Sequence, residues 1–382
     1  MDKHLLNEYK CTAAINSQAK ATYRVSTYRV YLLNILFYYW ALTMDSIVHF
    51  FGEAYRDQGA RIASYDYIEN FIARAHVDWS RSPPTNRIVV DFLQEISKFS
   101  SQDLAFLVVH SGYIPESYDA DSSAETLYSK LIEAVVMEWA KRIGFVNSLL
   151  PTQKSSMEDV SILDDAHVIV CDTKSFRLGR SQAAPNVKDV LKHADIEKWL
   201  SAYENKTKLG GLVVLPSQHD WKSGSDFYQY TTDKSSPTAC LYYEHLAFFL
   251  ISGMKSGNLI DLYESYSEVF PRKFTKVENN RAIYYKSVEG RLLAEHIDLW
   301  EQYLPSARKI IAEKVYHCAH SLQNLILLIK KNIEEKYLNE TDIEKLRKKV
   351  IEAEFLQATQ NLAKQSSRID NFRTVAKGYH EK

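Results

Sequence analysis

Apolar residues recur every three or four positions through much of the first 110 residues, and alternation with a period of two is rare. Residues 1–110 therefore read as mostly helical. The run Ser82-Pro83-Pro84-Thr85 breaks this pattern and predicts a loop. A helix resumes from Val89 to Phe99, and Ser100-Ser101-Gln102-Asp103 offers side chains suited to cap the next one. Near Gly112 the texture changes: Ile114-Pro115-Glu116 and the acidic, serine-rich stretch Asp119 to Ser123 predict a loop. From Ala124 to Ile143, Leu127, Leu131, Ala134, Val135, Glu138 and Arg142 follow a 3.6-residue period with a polar opposite face, predicting an amphipathic helix.

Two strands are predicted next. Asp159 to Leu163 (DVSIL) and Ala166 to Cys171 (AHVIVC) flank Asp164-Asp165, which has the composition of a hairpin turn. Asn186 to Leu200 reads as a helix, Gly210-Gly211 as its break, and Leu212 to Pro216 as a buried strand. Cys240 to Ile251 is either a strand leading into a helix or helical throughout. Ser306 to Lys364 predicts a helix with Leu322, Leu325, Leu328 and Ile329 as its apolar stripe. There is no internal repeat or low-complexity segment. The order helix, strand, strand, helix, strand implies an α/β (α+β) fold, with a small mixed sheet flanked by helices. Large helical N- and C-terminal regions complete it, and the expected parts are residues 1–118, 119–260 and 261–382.

Composition changes this picture little. Of 382 residues, 46% are hydrophobic and 25% charged, ordinary for a soluble globular protein, and 12 glycines are few enough to favour helix. The net charge of −1 excludes a global basic field, although residues 306–382 hold 15 Lys+Arg against 10 Asp+Glu. Cys11, Cys171, Cys240 and Cys318 are widely spaced and form no C-x-x-C pair, which argues for free thiols over zinc or disulfides. The apolar tract Val30 to Met44 holds Asn34 and ends at Asp45, shorter than the ~20 residues a membrane span needs. It is expected to be a buried core helix. With a polar N-terminus, the protein is expected to be cytoplasmic, with no membrane partner.

One constellation can carry chemistry. In a strand, residues i and i+2 share a face, so Asp172 and Lys174 should project together where a buried strand emerges. Thr173 should point away, with its backbone carbonyl still able to reach a metal. In a hairpin turning at Asp164-Asp165, Asp159 lies roughly opposite Asp172, and Glu158 points to the other face. Two carboxylates and a lysine suit phosphodiester hydrolysis: the carboxylates hold a metal such as Mg²⁺, and the cation orients a nucleophile or balances charge. A D-x-K on a strand is by itself more often a surface ion pair. Asp164 and Asp165 remain alternatives to Asp159 as the first ligand. No P-loop, G-x-G-x-x-G or nucleophilic Ser or Cys motif is present.

The segment DTKSFRLGRS (Asp172 to Ser181) resembles the catalytic strand and following loop of the HindIII-type restriction endonucleases, members of the PD-(D/E)xK nucleases. The resemblance continues in SAETLYSKLIEAVVMEWAKRIGF (Ser123 to Phe145), with its Leu127 to Lys130 element. Further on it includes Gln229-Tyr230-Thr231-Thr232-Asp233-Lys234 and LYYEHLAFFL (Leu241 to Leu250). It spans about residues 123–251, with the K-S-F-R-L run the most specific part; the proline of the motif name is replaced by Glu158.

The resemblance implies a PD-(D/E)xK core in which Asp159 and Asp172 bind Mg²⁺ and Lys174 positions the attacking water. Glu133 stands where the family carries an acidic residue on the preceding helix; an exposed helix carboxylate is its alternative. Arg177 and Arg180 are candidates for phosphate contacts, because guanidinium groups match phosphate geometry; surface arginines are the alternative. His245 reads as a core histidine and Glu244 as structural. Of 25 tyrosines, Tyr228, Tyr230, Tyr242 and Tyr243 cluster downstream and suit either a DNA groove or the core.

The function implied is a type II restriction endonuclease, cutting double-stranded DNA at a specific site to leave 5′-phosphate and 3′-hydroxyl ends. Its expected partners are a second copy in a homodimer and a cognate DNA methyltransferase. The alternatives are a repair or recombination nuclease of the same superfamily, without strict specificity, and a helical nucleic-acid-binding protein whose D-x-K is incidental.

Overall fold

The computed structural model describes residues 46–151, 157–178, 190–217, 227–232, 237–270, 280–338 and 343–370. The tract Val30 to Met44, Cys11, Arg180, Asp233 and Lys234 lie outside the described residues. The N-terminal pattern is realised as helices α1 (Gln58–Tyr65), α2 (Tyr67–Ala75), α3 (Thr85–Ile96) and α4 (Ser101–Ser111). Helix α3 starts earlier than Val89 because its first turn, Thr85 to Arg87, is polar and carries no apolar signal. Ser100 caps α4 as expected. Its hydroxyl accepts from the Asp103 amide at 3.0 Å, and the Asp103 carboxylate accepts from the Ser100 amide at 3.3 Å. After α4 comes the two-residue strand β1 (Tyr113–Ile114).

Helix α5 (Ser123–Ile143) occupies the expected span, but its opposite face is not polar. Tyr128, Ile132, Val136 and Trp139 are buried beside the expected stripe. The helix is packed between the N-terminal helices on one side and the sheet on the other, a context that periodicity cannot reveal.

The predicted hairpin is present. Strand β2 (Val160–Leu163) pairs antiparallel with β3 (His167–Thr173), with Val160 opposite Cys171 and Leu163 opposite Val168. Asp164 makes the turn, accepting from the Ala166 and His167 amides at 2.8 and 2.6 Å. Strand β4 (Phe176–Arg177) follows and pairs parallel with β1. After helix α6 (His193–Ser201) come β5 (Thr207–Leu215) and β6 (Thr238–Tyr242). The sheet order is β2-β3-β5-β6, with β3, β5 and β6 parallel. Val168 and Val170 pack with Ile196, Trp199 and Leu200 of α6, while Ile169 and Cys171 join the main core. Apolar contacts on both faces explain the unbroken run in AHVIVC.

Two expectations need correction here. Helix α6 begins at His193, because Leu191 and Lys192 are not helical; 186–189 lie outside the described residues. Gly210 and Gly211 lie inside β5 instead of ending a helix. At Gly210, whose φ is +151°, a Cβ would stand 2.1 Å from the Pro237 carbonyl oxygen. The glycine therefore serves the close approach of β6.

The segment from Cys240 resolves as β6 running directly into helix α7 (Tyr243–Ser252). Helices α8 (Ser256–Glu264) and α9 (Asn280–Leu292) lead to α10 (Ile297–Tyr337), followed by α11 (Glu344–Asp370). The single helix expected over 306–364 is thus two, running antiparallel: Gln323 donates to Ser366 at 3.0 Å, and Lys336 lies 3.4 Å from Glu354. Of the expected stripe Leu322 is buried, whereas Leu325 and Leu328 are exposed. Periodicity tells which residues share a face, not whether anything covers it.

The main buried cluster draws on residues from Ile47 to Ile369, so the N-terminal helices share a core with the strands and with α10. Buried Arg61 reinforces this junction, with Nε 2.8 Å from Glu313. Cys171 and Cys240 are buried free thiols, and Cys318 is a half-buried one. Among the described residues, no helix is long and apolar enough to cross a membrane.

Candidate active site

The hairpin register brings Asp159 to Asp172. The Asp159 amide donates to the Cys171 carbonyl at 3.0 Å, extending the β2–β3 pairing by one step past Val160. Asp172 is buried near the end of β3, and Lys174 Nζ lies 2.6 Å from its Oδ2. The i, i+2 expectation therefore holds for this pair.

Thr173 departs from expectation. Its hydroxyl reaches Asp159 Oδ2 at 3.2 Å, and its amide donates to the same oxygen at 2.8 Å. The pairing of β2 and β3 stops here, so simple alternation no longer directs the side chain.

Helix α5 supplies a third carboxylate. Glu133 is buried, and both its oxygens accept from Lys130 Nζ at 2.7 Å. Burial, and then the charge of Asp159, push the Glu133 carboxyl up to about 8 against the pull of Lys130. Burial likewise lifts Asp172 to about 6; Lys174 opposes the shift, and Asp159 adds to it through its charge and a hydrogen bond.

Carboxylates are the oxygen donors that a hard divalent cation takes, and the charge of Asp159 acts on both Glu133 and Asp172. Among the described residues no group of three or more His, Cys, Asp or Glu side chains stands together so that it could hold a metal ion. Each carboxylate is held instead by a donor of the chain itself: Glu133 by Lys130, Asp159 by Thr173 and Asp172 by Lys174. As they stand, these carboxylates are drawn onto internal partners.

The alternatives to Asp159 stand elsewhere. Asp164 is engaged in the turn, and Asp165 accepts from Asn147 Nδ2 at 2.8 Å, both at the opposite end of the hairpin. Glu158 occupies the far face, as its parity predicts, where Tyr203 and Ser161 donate to it. Arg177 is mostly buried: Nη1 donates to the Tyr118 carbonyl at 2.5 Å, and Nη2 lies 3.1 Å from Glu125.

His245 is a core residue. Its Nδ1 accepts from the Tyr242 amide at 3.0 Å, its Nε2 faces Glu289 at 3.3 Å, and its ring stacks on Trp300. Glu244 is buried and accepts a hydrogen bond from Ser217. Tyr228 and Tyr243 belong to the core, whereas Tyr230 and Tyr242 are partly buried against it.

Two residues escaped the sequence reading as parts of this site. Lys130 is one, although its i, i+3 spacing to Glu133 was available as a signal. Tyr243 is the other. Its hydroxyl donates to the Lys174 carbonyl at 3.2 Å, tethering the chain just past β3 from a helix 69 residues downstream. No sequence signal marks that contact. Gly112 makes room for it: a Cβ there would stand 2.4 Å from the Tyr243 ring.

No curated protein matches the chain. A family model described as HindIII restriction endonuclease matches residues 80–315, more than half of the chain, and contains Glu133, Asp159, Asp172 and Lys174.

Proposed function

Because the chain belongs to the HindIII restriction endonuclease family, whose members are nucleases acting on DNA, we propose that it is a type II enzyme. It cleaves both strands of duplex DNA at a specific sequence with Mg²⁺, leaving 5′-phosphate and 3′-hydroxyl ends. The observation that carries this reading is the pairing of Lys174 with buried Asp172, opposite Asp159 in the hairpin, inside the segment the family matches.

Asp159 and Asp172, with the Thr173 carbonyl, would hold Mg²⁺, which supplies positive charge to the phosphate and lowers the pKa of a water. Lys174 sits beside Asp172, where its ammonium orients the attacking water and balances charge developing on the phosphate. Glu133, on the α5 side, would serve as an accessory ligand once its raised carboxyl ionises.

Arg177 borders an open cleft of about 1080 Å³ whose other wall is α11, with Gln357, Gln360, Asn361 and Lys364. Lys364 brings a positive charge to this cleft for a DNA backbone, Asp119 lines it as well, and Arg177 is paired with Glu125. Cutting both strands of a symmetric sequence requires two such sites related by a two-fold axis, hence a homodimer. A cognate methyltransferase would protect the host DNA.

The test is digestion of a mapped DNA with Mg²⁺, followed by sequencing of the ends. Discrete fragments with common ends support the proposal. A smear points to a nuclease of the same superfamily without strict specificity. Intact DNA would leave a nucleic-acid-binding protein.

A further inference from the structure

Helix α11 is anchored along one face and open along the other. Thr359, Gln365, Ser366 and Ile369 are buried. Ser366 accepts from Gln323 of α10 at 3.0 Å, and Gln365 Nε2 donates to the Glu116 carbonyl. Gln357, Gln360, Asn361 and Lys364 are exposed. Their i, i+3, i+4 and i+7 spacing puts them in one stripe, and that stripe lines the cleft bordered by Arg177.

The chemistry of the stripe differs from that of a solvated helix face, which ordinarily carries charges of both signs. Glu344 to Glu354 of the same helix does so, whereas residues 355–369 hold no Asp or Glu and two basic residues, Lys364 and Arg368. An acid-free face does not repel phosphate. Its side-chain amides each offer a donor beside an acceptor, the pairing that glutamine or asparagine makes with the adenine edge in the major groove, which is wide enough for an α-helix. Gln357 to Lys364 covers about 10 Å of helix axis, the rise of about three base pairs.

The stripe is also tied to the candidate active site. Glu116, whose carbonyl Gln365 holds, lies two residues before Tyr118, and the Tyr118 carbonyl accepts from Arg177 at 2.5 Å. Arg177 in turn follows Lys174 by three residues. Selecting a sequence and cutting at a set position within it calls for a reading face held rigidly to the strand that carries the chemistry. Helix α11 lies outside the matched segment 80–315, so the family likeness does not extend to it.

We propose that Gln357, Gln360 and Asn361 of α11 read base edges in the major groove of duplex DNA, with Lys364 on a neighbouring phosphate, and so determine which sequence the chain selects. This rests on the nuclease reading above. Because these amides favour adenine, the selected sequence contains adenine within the part that α11 covers.

The test digests a random-sequence duplex library with the full-length protein and Mg²⁺ and sequences the cut ends. In parallel, duplexes retained in a gel shift with Ca²⁺, an oxygen-liganded cation, are sequenced. Gln360→Ala and Asn361→Ala should each lose about tenfold or more of the preference at a single base position and keep it elsewhere. Gln357→Ala/Gln360→Ala/Asn361→Ala should lose it at about three adjacent positions. Lys364→Ala should instead weaken retention of all sequences alike and lower the salt dependence by about one phosphate contact. Alanine preserves the helix, a shared thermal transition establishes that the variants are folded, and the single variants replace the triple one if it is not.

Wild-type preference at every position in the folded variants overturns the proposal. So does a uniform loss of cutting and retention accompanied by loss of the dimer in sedimentation, which would make the face a contact between copies of the chain. A wild type that leaves the library intact fails the nuclease reading; the retained duplexes then decide the role of α11, and retention without sequence preference overturns that as well.

Discussion

Lys174 Nζ stands 2.6 Å from Asp172 Oδ2, with both side chains largely withdrawn from solvent. The pair sits where β3 leaves the sheet, and the Lys174 amide donates to the Val214 carbonyl of β5 at 2.7 Å. The backbone carrying the charged pair is therefore held as firmly as the strand itself.

Asp172→Ala and Lys174→Ala should each lower the cleavage rate by at least about 10³-fold, in line with the loss of a preorganised charge from an enclosed site. Duplex binding should persist in both, as gel shift would show. Full activity in either variant would remove the pair from the chemistry.

Hairpin geometry separates the three candidate first ligands. Asp159→Asn should abolish cleavage. Asp164→Asn and Asp165→Asn should cleave normally, because those side chains serve the turn and Asn147. Digestion of one DNA by the three purified variants decides the matter; an inactive Asp164 or Asp165 variant beside an active Asp159 variant would reassign the ligand.

The contribution of Glu133 to the stability of the metal-free protein should fall as pH rises. Glu133 holds its proton up to about 8 in the folded chain, against 4.5 as its ordinary value. Between those values the folded state binds more protons than the unfolded one, so stability declines with pH. The stabilisation is complete below about 4.5 and is lost as pH passes 8. Asp172 acts in the same direction between 3.8 and about 6. Melting temperatures of the wild type and Glu133→Gln should therefore converge at low pH and separate toward pH 8, the variant melting higher. A constant difference between them would contradict this account.

Tyr243→Phe removes the hydroxyl that donates to the Lys174 carbonyl. It should cost about 0.5–1.5 kcal/mol of stability and lower kcat more than it raises KM, because the strand loses a tether. Gly112→Ala should be more harmful, at about 1–3 kcal/mol, since its Cβ would meet the Tyr243 ring. Denaturant unfolding of both variants checks the order.

Much of the site was legible in the sequence because it depends on short-range geometry. A strand period of two sets Asp172 beside Lys174, and a hairpin turning at Asp164 sets Asp159 opposite Asp172; both relations involve fewer than twenty residues. Ser100 as a cap and α5 as a helix were readable for the same reason. The tertiary structure decided what depends on neighbours distant along the chain. It buried the second face of α5, enclosed Gly210 in β5 beneath the Pro237 carbonyl, and divided the C-terminal helix into an antiparallel pair. It also turned Lys130 inward onto Glu133 and brought Tyr243 to the Lys174 carbonyl. Local patterns specify which face a residue occupies; what that face meets is fixed only when the whole chain packs.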